Sequence, residues 1–218
     1  MLTIDQLLLI CAAAVVFAVV PGPAVVYVIT RSVHQSRQAG ILSALGVGAG
    51  NLVLVLGTAF GLSALLVSSS LLYNIVRFLG AGYLVYLGVR KLLDRTRLPG
   101  VDSVEEQSLL HVCRQGLVVG LLNPKAALFF LAFLPQFVDR ERGAIVLQVI
   151  LLGAVVVAIT FVSDGCYALL AGTIASGLRK PRMVKVQRLV AGTVYIGLGL
   201  GAALTGSTAA ASAAVSHR

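Results

Sequence analysis

The sequence predicts an all-α integral membrane protein, with six transmembrane helices forming two inverted three-helix repeats and with helices one and four broken. Three observations carry this expectation. First, 58% of the residues are hydrophobic and only 11% are charged, with a mean hydropathy of +0.98, whereas a soluble domain averages about 25% charged residues. Second, the apolar residues form long charge-poor runs, the signal of helices rather than of the short alternating strands of a barrel. Third, two runs in corresponding places are interrupted by proline, at Pro21-Gly22-Pro23 and at Asn123-Pro124-Lys125.

The first repeat covers residues 1–93. Span one runs from about Ile4 to Thr30 through the Pro-Gly-Pro break, and a short basic loop from Arg31 to Arg37 follows. Span two, about Ala39 to Val67, holds Asn51 after Gly46, Gly48 and Gly50, and Ser68-Ser69-Ser70 marks a turn. Span three, about Leu72 to Leu93, reaches full length only if Arg77, Arg90 and Lys91 extend toward the interfaces. Residues 94–115 read as a mobile cytoplasmic loop. The second repeat covers 116–205: span four from Gly116 to Val138, a charged turn at Asp139–Arg142, span five from Ala144 to Gly177 with Asp164 inside it, a basic loop, and span six from Leu189 to Thr205. Residues 206–218, rich in Ala, Ser and Thr, read as a disordered tail.

The loops after spans one, three and five hold twelve Lys and Arg against four on the opposite side. The excess places those loops in the cytoplasm and both termini outside. The same distribution explains the net charge of +9 as a topology signal, with no nucleic-acid partner. Met-Leu-Thr-Ile-Asp-Gln at the start has no basic residue ahead of the apolar run, so no signal peptide is expected. Cys11, Cys113 and Cys166 are scattered, which predicts free thiols, with Cys11 and Cys166 as buried fillers; His34 and His111 read as solvated loop residues.

The halves share landmarks in one order. Gly61-Leu-Ser-Ala-Leu-Leu66 corresponds to Gly165-Cys-Tyr-Ala-Leu-Leu170, and Arg77 and Arg188 each precede a glycine by eleven residues. Three spans per half make the second half enter from the opposite side, an arrangement frequent in secondary transporters, whose sites lie at broken helices near the midplane. Counted at about 1.5 Å per residue, Pro23, Asn51, Lys125 and Asp164 all lie roughly 10–20 Å from the cytoplasmic ends, inside a core about 30 Å thick.

These residues form the candidate substrate and proton pathway: Pro21, Gly22, Pro23, Asn51, Asn123, Pro124, Lys125 and Asp164. Two prolines around a glycine remove two backbone donors, so the segment unwinds and its freed carbonyls can receive a substrate ammonium. Lys125 either pairs with Asp164 or binds a substrate carboxylate. Asp164, an acid inside a span, reads as a proton or ammonium carrier rather than a static ion pair. Asn51 and Asn123 read first as helix ties and second as ligand contacts. Tyr83, Tyr86 and Tyr167 are secondary candidates whose default role is packing. The glycines of span two read as sites of close helix approach, with Gly80, Gly82, Gly197, Gly199 and Gly201 doing the same.

Pro21-Gly22-Pro23, Gly80-Ala-Gly-Tyr83-Leu-Val-Tyr86-Leu-Gly88, and Asn123-Pro124-Lys125-Ala-Ala-Leu-Phe-Phe through Leu134-Pro135-Gln136-Phe137 together resemble the LysE superfamily, most of all its RhtB branch of amino-acid exporters. The resemblance covers nearly the whole chain except the tail. It implies export of small neutral or zwitterionic amino acids, threonine- or homoserine-like, or their derivatives, across the bacterial inner membrane. It also implies alternating access driven by the proton gradient, with no cofactor and no catalytic residue. One position departs from the family pattern: Ala24 stands where Asp or Asn often follows the Pro-Gly-Pro. The expected partners are a small solute and the lipid bilayer, and glycine-rich lipid-facing strips permit a homodimer. Two rival readings are a divalent-metal exporter, which would want clustered carboxylates or soft ligands, and a membrane thiol-redox protein, which would want two pairable cysteines.

Overall fold

The computed structural model describes residues 4–68, 70–93, 106–139 and 143–171, and isolated helical positions between 185 and 200. The described residues are helical or in turns, with no strand among them. The Ser69 turn position, most of the 94–115 loop, residues 140–142 of the charged turn, most of the basic loop before span six, and the tail lie outside the described residues.

Span one is two helices, α1 (Ile4–Val19) and α2 (Pro23–His34), bent by 54° at the break. Gly22 is extended (φ −118°, ψ −171°) and Pro23 opens α2, where a missing N–H costs nothing because the first turn has no acceptor for it. The uninterrupted α3 (Arg37–Ser68) and α4 (Ser70–Leu93) follow.

Span four is also broken. Helix α5 (Leu109–Leu121) meets α6 (Pro124–Leu128), which continues through a π turn (Phe129–Phe133) and a 3-10 turn (Leu134–Phe137). The two parts are bent by 43°. Pro135 explains the irregular end: it offers no N–H to the turn before it. Helix α5 starts at Leu109, seven residues ahead of the expected Gly116, so the end of the expected loop is helical. Ser108 supplies the reason: its side chain accepts from the His111 N–H and caps the helix, and Val112 and Gly116 bury one face. His111 is therefore an exposed first-turn residue of a helix and not a loop residue.

Helix α7 (Ile145–Leu169) contains Asp164. Among the described residues, it and residues Arg37–Gly61 of α3 are each long and apolar enough to cross a membrane, and counting each bent pair as one span raises the number to four. Their outer faces carry exposed Leu45, Leu52, Phe60, Leu151 and Val162, a surface suited to lipid.

Helix α3 lies at the centre and packs against α2, α5 and α7. Its contact with α5 is a reciprocal pair of small-residue motifs. Gly46 and Gly50 face the backbone of Cys113, Leu117 and Gly120, while Gly116 and Gly120 face the backbone of Ser43 and Val47. A Cβ on any of the four would run into main-chain atoms, so only glycine permits the approach. Gly48 makes ordinary contacts and is not part of the seam, and Gly82 and Gly197 face open space. Gly199 packs on Ala81 and Val85, and Gly88 on Gly192 and Ile196, which brings the later helical positions onto α4; Gly201 lies outside the described residues. The main core joins Ile10, Phe17, Val55, Phe129, Phe130, Leu134 and Leu152 from α1, α3, the α6 segment and α7.

Gly46→Ala should destabilise the protein by about 1–3 kcal/mol, the usual range for an overpacked interface. Gly57→Ala, where nothing lies within 4 Å of the added carbon, should leave the melting point in detergent unchanged. Equal melting points for both variants would contradict the packing described.

Candidate functional site

The break in span one leaves an accounting problem in the backbone. In a continuous helix the carbonyls of Phe17 and Val19 accept from residues 21 and 23, but both are prolines and carry no N–H. Other helices supply the missing donors. Lys125 Nζ donates to the Phe17 carbonyl at 2.6 Å and to the Val20 carbonyl at 2.5 Å. Tyr167 Oη donates to the Val19 carbonyl at 2.8 Å, and Ser163 Oγ to the Ala18 carbonyl at 3.3 Å. Four consecutive carbonyls are thus capped from α6 and α7. The Lys125 ammonium also sits 4.3 Å from the centre of the Phe17 ring, a cation–π contact. Phe17 in turn packs on Phe129, with ring centres 4.4 Å apart.

Lys125 reaches this place because of its own helix break. Asn123 Oδ1 accepts from the Lys125 N–H and caps α6, so Asn123 acts as a helix cap. Pro124 is the first residue of α6, and Lys125 follows on the side facing α1, 6% exposed. The Gly22 backbone lies against the Lys125 stem, and a Cβ there would sit 3.1 Å from Lys125 Cδ. The two breaks therefore meet, and the bond between them runs from a side chain to a main chain.

Beside this contact is a cavity of about 20 Å³ lined by Gly22, Ala24, Val25, Asn51, Asn123, Lys125, Thr160 and Asp164, among others. It has room for one or two waters and is too small for an amino acid. Asp164 is 5% exposed, and no described residue hydrogen-bonds or ion-pairs with its carboxylate. Asn51 is 4% exposed, and its Oδ1 is buried with no hydrogen-bond partner. Thr160 Oγ1 donates to the Val157 carbonyl.

Of the sequence-predicted residues, Gly22, Asn51, Asn123, Lys125 and Asp164 come together at the cavity. Pro21, Pro23 and Pro124 shape it from behind by removing N–H groups, and Tyr167 joins as a carbonyl cap. Tyr83 and Tyr86 stack on each other at 5.7 Å on the exposed face of α4 and do not line the cavity. The freed carbonyls of α1 were expected to await a substrate ammonium; here they hold the ammonium of Lys125. Cys11 is half-buried and Cys166 exposed, so neither is the buried filler expected, and all three cysteines are free thiols. His34 ends α2, with its Nε2 buried and unpaired, and is not a solvated loop residue. Among the described residues no three His, Cys, Asp or Glu gather as a metal site would need.

One cluster escaped the sequence reading. Arg31, assigned to a basic loop, is 4% exposed and sits inside α2. Its guanidinium donates to Gln107 Oε1 at 2.6 Å and Gln115 Oε1 at 2.7 Å, and it lies 5.8 Å from the Tyr27 ring centre. Tyr27 Oη donates to the Val112 carbonyl at 2.8 Å, and Gln35 Nε2 to the Gln107 carbonyl at 2.5 Å. Together they fasten α2 to α5 and to the segment ahead of it. Tyr27, Arg31 and Gln35 recur every four residues, which places them on one helix face and was the available signal.

A family model for LysE type translocators matches residues 15–206. A "Leucine efflux protein" of Salmonella typhimurium is 30% identical over 190 residues, covering 84% of this chain and 88% of that protein. A protein of the same description from Klebsiella pneumoniae is 29% identical over 189 residues, with the same coverage of each chain. An "Uncharacterized membrane protein" of Vibrio cholerae is 28% identical over 187 residues, 86% of this chain and 91% of that one. No solved structure matches the chain. A match over residues 15–206, together with two proline-broken membrane helices that meet at a polar cavity, makes this chain a membrane transporter of the LysE type translocator family.

Proposed function

We propose that the protein exports amino acids or amino-acid derivatives from the bacterial cytoplasm by alternating access, in exchange for protons entering from outside. On this reading the chain spans the inner membrane six times as two inverted three-helix repeats, with both termini outside. The observation that carries it is the cavity where the two breaks meet, walled by an acid that no described residue pairs with. Relatives described as leucine efflux proteins support an amino-acid substrate. The small volume fits a closed state, and the helix ends that line the cavity must part to admit a solute.

The two charged residues divide the work. Lys125 is the tether: its ammonium holds the end of α1 against α6. Asp164 is the exchangeable group. A carboxylate that holds either a proton or a substrate cation, but not both, couples the two flows without covalent chemistry.

Three outcomes test this. Proteoliposomes loaded with a labelled amino-acid panel should release at least one member faster when the outside is acidified. Asp164→Asn should abolish that acceleration while leaving slow exchange measurable. Full acceleration in Asp164→Asn would remove the proton role. Lys125→Met should lower the melting point in detergent, because each carbonyl left without a donor costs about 1–3 kcal/mol. If Lys125→Met is as stable as the parent and loses only substrate affinity, Lys125 is a ligand group and not a tether.

A further inference from the structure

The cavity has two chemically opposite walls. One is the start of α2, a 12-residue helix whose N-cap, Gly22, offers no side-chain acceptor. Val26 N–H is the first α2 donor bonded back, to the Gly22 carbonyl. The Ala24 and Val25 N–H groups have no backbone acceptor among the described residues, and both residues line the cavity. Val20, whose carbonyl Ala24 would reach in a continuous helix, is taken by Lys125. The start of α2, with N–H groups that lack a backbone acceptor and the positive end of the helix dipole, therefore borders the space, and Lys125 lines it as well.

The other wall holds acceptors. Asn51 Oδ1 on α3 is buried and has no partner. Asp164 on α7 is 5% exposed and receives no hydrogen bond from a described residue. Thr160, one turn before it, uses its hydroxyl proton on Val157 and so keeps lone pairs on its oxygen. A buried acceptor without a donor costs free energy until a donor arrives, and here two such groups border one cavity.

We propose that this cavity, once opened from its closed state, reads both ends of a zwitterionic α-amino acid: the α2 first-turn N–H groups beside Lys125 take the carboxylate, and Asn51 with Asp164 takes the ammonium. The assignment rests on the export reading above and adds substrate polarity to it. It also places selectivity in the head group, so the side chain is left to the apolar Phe17, Val47 and Ala126 surfaces of the same cavity. Amines lacking a carboxylate and acids lacking an ammonium are poor substrates, because each leaves one wall unpaired. The ammonium and the proton compete for one carboxylate, which yields exchange.

The test is counterflow of a labelled amino acid into proteoliposomes holding the full chain, without a pH gradient. The panel includes leucine, and the competitors are the matching unlabelled amino acid, its N-acetyl derivative and its carboxamide. Each derivative should compete about 10–100-fold more weakly, the factor for losing hydrogen bonds to a charged group. Asn51→Ala should weaken the amino acid by a similar factor and leave the N-acetyl derivative unchanged. If the N-acetyl derivative competes as well as the amino acid in the unaltered protein, the ammonium assignment fails while the export reading stands. If the carboxamide competes equally, the carboxylate assignment fails in the same way. Counterflow of no panel member overturns both readings.

Discussion

The structure depends on one interaction, the ammonium of Lys125 on the carbonyls at the end of α1. Proline at positions 21 and 23 removes the donors that would otherwise close the helix. In hydrocarbon, unpaired carbonyls are costly, and irregular backbone persists only where protein or a wet cavity covers it. The second break supplies the cover. Pro124 and the Asn123 cap redirect the chain so that Lys125 leads the next half-helix toward α1. Each break would be expensive alone; together they satisfy one another. Tyr167 and Ser163 complete the set from α7, which fixes the third side of the cavity.

This arrangement separates holding from handling. The cation at the breaks is fully engaged with backbone, so it is poorly placed to move. The Asp164 carboxyl nearby accepts no hydrogen bond from a described residue. A transporter needs both, a seam that defines two rigid bodies and a group whose occupancy decides which way they lean. The glycine seam between α3 and α5 brings their main chains into contact along Gly46, Gly50, Gly116 and Gly120. The Arg31 cluster adds α2 to it at the far end.

Much of this was legible in the sequence, and the limits have physical causes. Proline acts on its own turn, so the breaks at Pro21–Pro23 and at Pro124 could be read locally. Asn51, Lys125 and Asp164 stood out because polar groups are rare in apolar runs. The partners could not be read: Lys125 and Phe17 lie 108 residues apart, and no local pattern encodes that contact. Reading Lys125 as a partner for either Asp164 or a substrate carboxylate rested on charge, and neither alternative counted a proline-freed carbonyl as an acceptor for the ammonium. Arg31 was assigned to a loop because a basic residue after an apolar run ordinarily marks an interface, yet its helix continues to His34. Tyr83 and Tyr86 lie within a span as the site residues do, but α4 presents them outward.

The most direct test of the account is the accessibility of a single cysteine at position 160, in a protein whose three native cysteines are replaced by serine. Thr160 lines the cavity and is 6% exposed. A membrane-impermeant maleimide should label Thr160→Cys from either side of the bilayer, and a transported amino acid should protect it. Labelling from neither side, or labelling indifferent to every amino acid, would contradict a substrate path between the two breaks.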